Sequence, residues 1–143
     1  MTTTPLGKFS LTFPGNMPSL QEAARKVEAF GNRTNASTRK QYILSLVFEE
    51  LATNTVKYGA KEGEALSLFL EIGFASSEES FSFSLRDNGA PFDPVLYLQT
   101  HPESNDDEKE IIIGGAGLRL VRKMTCSFSY RREENWNIVE LTF

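Results

Sequence analysis

The sequence has 143 residues, 40% of them apolar and 24% charged, which suits one domain with a real core and leaves little room for a second. Fifteen basic against nineteen acidic residues leave a net charge of −4, which argues against a nucleic-acid surface, because phosphate backbones are held by basic patches. Cys126 is the only cysteine, so an internal disulfide or a cysteine-built metal cluster is excluded; the expectation is a buried thiol in an apolar strand and a reducing, cytoplasmic setting. Met1-Thr2-Thr3-Thr4-Pro5 lacks the charged and apolar regions of a signal peptide, and no apolar run approaches the ~20 residues that span a bilayer.

From Lys8 to Phe13, Phe9, Leu11 and Phe13 alternate with Lys8, Ser10 and Thr12, the period of a half-buried strand, which Pro14-Gly15 ends. After Pro18, Ser19 is the expected N-cap of a helix with Leu20, Ala23, Ala24, Val27 and Phe30 at helical spacing, closed by Gly31-Asn32. Ser37 or Thr38 caps a second helix that runs through Tyr42, Leu44, Val47 and Leu51 to Gly59. Ala65 to Phe74 and Ser80 to Arg86 read as an antiparallel hairpin around Ala75-Ser76-Ser77-Glu78-Glu79, with Asp87 at its far end.

A short helix after Phe92 gives way to the acidic Thr100–Glu110 segment, read as a mobile lid that is disordered without ligand. Ala116 to Met124 forms a helix with Leu120, Val121 and Met124 inward and Arg119, Arg122 and Lys123 outward. Ser127–Arg131 and Asn137–Phe143 make a closing hairpin around Glu133-Glu134-Asn135. This order does not alternate as a parallel βαβ array does. It predicts an α+β fold, a two-layer sandwich whose mixed, largely antiparallel sheet is covered by helices on one face, in a single domain over 1–143.

The candidate site starts on the second helix. Glu50 and Asn54 stand four residues apart, about one turn or ~6 Å along the axis, and Lys57 and Tyr58 continue the same face beside the apolar stripe. The polar stripe therefore runs along the rim of the core. Asp87-Asn88-Gly89-Ala90-Pro91 and Gly114-Gly115-Ala116-Gly117-Leu118 follow, and each is a common turn or glycine-rich segment by itself.

Taken in order, E-x-x-x-N, D-x-G-x-P and G-G-x-G-L resemble the three nucleotide-binding boxes of the GHKL (Bergerat-fold) ATPase superfamily, and most of all its anti-sigma factor serine/threonine kinase branch. The resemblance implies ATP and Mg2+, a catalytic Glu50, a metal-bearing Asn54, and nucleotide contacts from Asn54, Lys57, Tyr58, Asp87, Gly89, Gly115, Gly117 and Leu118. It also implies a STAS-type anti-anti-sigma protein as phosphorylated partner and a sigma factor held in the other state of the switch. A homodimer stays open.

The residue types suit that chemistry. Magnesium keeps several waters and needs one or two protein oxygens beside the phosphates, which the Asn54 amide supplies. Glu50 is placed to take a proton from an attacking hydroxyl. An ionised Asp87 accepts from the adenine amine but opposes the guanine carbonyl, so ATP is expected over GTP. Gly89 would let backbone pass under the base, and Gly115-Ala116-Gly117 would offer N–H groups to phosphate at a helix start.

The chain also departs from the branch. Tyr58 stands where histidine is more usual, and Ile111-Ile112-Ile113 replaces a lid arginine, with Lys109 the nearest cation. Those departures keep a second function in view, an ATP-binding interaction module with slow or no transfer. A detached histidine-kinase catalytic domain is disfavoured, since the single His101 lies in an acidic loop; zinc is not expected there either, as one imidazole with no cysteine neighbours makes a poor site.

Overall fold

In the computed structural model, which describes residues 7–101 and 115–143, the alternation of Phe9, Leu11 and Phe13 becomes β1 (Lys8–Pro14). Then come α1 (Met17–Arg33), α2 (Thr38–Tyr58), β2 (Ser67–Ala75), β3 (Ser80–Asp87), α3 (Pro94–Thr100), α4 (Gly115–Met124), β4 (Ser127–Glu133) and β5 (Trp136–Thr142). Residues 102–114 carry most of the expected lid, with Lys109, Ile111-Ile112-Ile113 and Gly114, and lie outside the described residues. The fold is α+β.

The strands form one sheet in the order β1-β2-β3-β5-β4, and every described pairing is antiparallel, in keeping with the largely antiparallel sheet expected. β2–β3 and β4–β5 are hairpins, β1 reaches its neighbour β2 through α1 and α2, and β3 meets β5 across the later helices and β4; every pair is antiparallel, so no parallel crossover is needed. Cross-strand rows show how the core hands over to the site. One row reads Leu11, Leu70, Leu85, Val139, Tyr130; the next, toward the ends of β3 and β2, reads Phe13, Leu68, Asp87, Asn137, Arg132. The same face of the sheet thus turns from apolar to polar within two residues.

The apolar face carries α1 and α2. Leu20, Ala23, Val27 and Phe30 of α1 and Leu44, Val47, Phe48 and Leu51 of α2 are buried with the sheet residues in one core, in which Phe13 meets Phe48 at 6.0 Å and Phe9 meets Phe30 at 5.4 Å. The opposite face presents Ser10, Ser82, Ser84, Ser127, Ser129 and Thr142 around Glu71 and Glu140, the polar half of the alternation.

Several local expectations change. Asn16 caps α1 by accepting from Ser19 N at 2.8 Å, so Ser19 lies inside the first turn, with Pro18 where a missing N–H costs nothing. Gly31 does not end α1: it is buried, its bare Cα facing Leu44 and Gln41, and the helix runs on to Arg33. Val121 is buried and Met124 packs against the core as expected, but Leu118 takes the third inward place and Leu120 is 37% exposed, because i, i+3 spacing puts Leu118, Val121 and Met124 on one face. Arg119 is half-buried instead of outward. Cys126 is exposed in the bend before β4, ahead of the strand that was to bury it.

Candidate functional site

The C-terminal half of α2 leans over the polar end of the sheet, and between them lies a cavity of about 250 Å³. Leu51, Asn54, Thr55 and Tyr58 form its helical wall, Leu85 and Val139 its floor, and Pro91, Phe92 and Leu118 its rim. The walls are mostly apolar, with a few polar groups converging from different elements, the composition of a small-molecule site.

Among those groups Asp87 is buried at the end of β3, 7% exposed. Its Oδ1 accepts from Gly89 N at 2.9 Å and from Asn137 Nδ2 at 2.9 Å. Burial pushes its carboxyl above the ordinary value, and the Asn137 and Gly89 hydrogen bonds, the Arg132 charge and the Thr55 hydroxyl pull it back. With Oδ1 already accepting two N–H donors, Oδ2 is the oxygen with more acceptor capacity left for a ligand.

The loop after Asp87 is pinned from several sides. Asn88 Oδ1 accepts from Ser67 N at 2.7 Å while its Nδ2 donates to Ala65 O at 2.9 Å. Ala90 N donates to Gly59 O at 2.8 Å, tying the loop to the end of α2. That contact explains Gly89. A Cβ there would stand 2.5 Å from Gly59 O and 3.0 Å from Asp87 Oδ1, so the glycine is required by backbone packed on backbone, beyond any base passing above it.

On the other side, Gly117 in the first turn of α4 meets Glu50, and a Cβ on Gly117 would overlap the Glu50 carboxylate. Glu50 is half-buried one turn before Asn54, whose buried Nδ2 has no hydrogen-bond partner among the described residues. A buried polar atom left unpaired costs stability unless a ligand completes it, and it is a mark of a site. Among the described residues no three His, Cys, Asp or Glu gather to hold a metal; the amide oxygen of Asn54 is of the type that magnesium takes beside a nucleotide's own oxygens.

Of the residues singled out in the sequence, Asn54, Tyr58, Asp87 and Leu118 line the cavity. Glu50 and Gly117 adjoin it at Leu118, Gly89 braces its floor, Gly115 opens α4, and Lys57 is exposed outside the lining. A scan against family models matches residues 13–143 to the histidine kinase-like ATPase domain. The chain belongs to that family.

A histidine kinase-like ATPase domain takes ATP, which fits a cavity with one carboxylate acceptor on its floor. The domain is similar to the serine/threonine-protein kinase BtrW of Bordetella bronchiseptica, 29% identical over 116 residues that cover 81% of this chain and 79% of the relative. Among the described residues no helix of the domain is long and apolar enough to cross a membrane.

Reading by motif missed Thr55, Phe92, Asn137, Tyr130 and Arg132. A signal for Asn137 was present: it shares the inward alternation of Val139, Leu141 and Phe143, and a polar amide in such a register must find partners.

Proposed function

We propose that this histidine kinase-like ATPase domain is an ATP-dependent protein serine/threonine kinase that phosphorylates a STAS-type anti-anti-sigma partner in the cytoplasm and holds a sigma factor in the other state of the switch. The observation that carries the reading is the Glu50 carboxylate against Gly117, one turn from Asn54 and just outside the cavity. Similarity to a serine/threonine-protein kinase supports it.

In this reading the adenine lies over Leu85 and Val139 with its amine on Asp87, and the phosphates run past Asn54 toward the start of α4. Magnesium, when bound, supplies charge neutralisation between phosphate oxygens, and Asn54 would hold it. A partner's serine or threonine oxygen forms a bond to the γ-phosphorus as the bond to the β–γ bridging oxygen breaks. ADP leaves, and the hydroxyl proton passes to Glu50.

The absent lid arginine favours a second reading, a binding module that uses ATP to shape its surface. Single-turnover incubation with γ-labelled ATP, magnesium and candidate partners from the same genome separates the two. Acid-stable label mapped to a partner serine or threonine supports the kinase; acid-labile label on histidine, or no transfer to any candidate while ATP still binds, overturns it.

A further inference from the structure

Asn137 is 4% exposed in β5, and all four hydrogen-bonding positions of its amide are occupied. Nδ2 donates to Asp87 Oδ1 at 2.9 Å and to Ala90 O at 2.9 Å. Oδ1 accepts from Tyr130 OH at 2.6 Å and from Arg132 NH1 at 2.9 Å, with Phe92 N further off at 3.5 Å. The partners leave no second orientation. Arg132 can only donate and Ala90 O can only accept, so turning the amide over would set donor on donor and acceptor on acceptor. Arg132 NH1 also reaches Gly89 O at 3.2 Å, so β4, β5 and the 88–92 loop are joined through one side chain.

We infer that Asn137 is the positioning residue that sets selectivity for a 6-amino purine: it fixes which oxygen of Asp87 is engaged and which faces the cavity, and it locks the loop that carries Ala90. The inference rests on ATP as the ligand and goes beyond it by naming the group that makes Asp87 selective. Without the Asn137 amide, Oδ1 keeps the Gly89 N–H and the carboxylate keeps the nearby Thr55 hydroxyl, but the anchor from β5 is gone. The carboxylate can then turn on its remaining partners, and its acceptor direction toward the base is no longer unique.

The test is the ratio of dissociation constants for purine riboside triphosphate, which lacks the 6-amine, and ATP, measured by calorimetry on the whole chain with magnesium. Wild type should favour ATP by about 10-fold or more, the scale of a hydrogen bond to a charged acceptor. Asn137→Ala should bring the ratio to within about 3-fold of unity. Mere loss of stability lowers the folded fraction and weakens both nucleotides together, leaving the ratio as it was.

Tyr130→Phe is the second variant, since Tyr130 lies outside the cavity lining and keeps its ring packing. It removes one anchor of Oδ1 and should lower the ratio about 2- to 10-fold, the range of one neutral hydrogen bond. If Asn137→Ala does not fold, this variant decides alone. Wild-type ratios retained by the folded variants overturn the role of Asn137 and leave ATP binding intact. A ratio near unity in the wild type overturns the Asp87 contact, and the inference with it.

Discussion

Replacing Asp87 by asparagine exchanges an acceptor for a donor at one known position. Both partners of Oδ1, Gly89 N and Asn137 Nδ2, are donors at 2.9 Å, so the new amide must keep its oxygen there and turn its NH2 toward the cavity. The adenine amine then meets a donor, and the lost charge-assisted bond weakens ATP by about 1.5–3 kcal/mol, roughly 10- to 150-fold. Inosine triphosphate carries a 6-carbonyl and gains a neutral bond of about 0.5–1.5 kcal/mol, roughly 2- to 10-fold. Calorimetric titration of both proteins with both nucleotides in magnesium reads the full square of four affinities. The reasoning fails if the wild type binds the two nucleotides equally, or if Asp87→Asn keeps ATP affinity within about threefold.

The raised carboxyl of Asp87 gives a pH dependence. Its proton is held more tightly in the folded chain than in the unfolded one, so this contribution to stability is full below the unfolded value and is lost as pH rises through the folded value. Urea unfolding at neutral pH should therefore find Asp87→Asn no less stable than wild type, with the difference shrinking in acid. A variant clearly less stable at neutral pH contradicts this. Asn54→Ala should lose most of the enhancement that magnesium gives to ATP affinity, and an unchanged response would assign the ion to another group. Glu50→Gln should bind ATP nearly as before while phosphoryl transfer to a partner drops roughly 10²- to 10⁴-fold, the usual worth of a positioned base; parallel losses in affinity and rate would instead point to a role in ordering the ligand. Gly89→Ala pushes a methyl onto the Gly59 carbonyl and should cost about 1–3 kcal/mol in unfolding free energy along with ATP affinity. Wild-type stability in that variant would mean the loop shifts without penalty.

Periodicity made most of the fold legible. The two-residue alternation of Phe9, Leu11 and Phe13 and the helical spacing of Leu44, Val47 and Leu51 leave little choice of element, and both segments form as read. Boundaries were harder where a residue has two uses. Gly31 reads as a helix stop, yet it sits buried within α1, facing Leu44 of α2, and the helix continues past it. The side of the site on α2 was legible because Glu50 and Asn54 are linked by helical spacing alone. Its other side depends on which strands become neighbours. Asn137 meets Asp87 only because β5 lies next to β3, a pairing that local pattern does not encode, so the amide could be recognised as an inward polar residue but its partner could not be named.

The order β1-β2-β3-β5-β4 also sets when the site comes into being. Asp87 and Asn137 are separated by fifty residues of chain, and the loop between them must close before their hydrogen bond can form. A growing chain that has released α2 and the β2–β3 hairpin from the ribosome already carries Glu50, Asn54 and Asp87, yet its nucleotide cavity lacks the Val139 part of its floor until β5 docks. Ligand therefore stabilises only the finished sheet, by about 2.7 kcal/mol at a hundred times its dissociation constant, and acts as a latch on the last strand pairing instead of a template for the first.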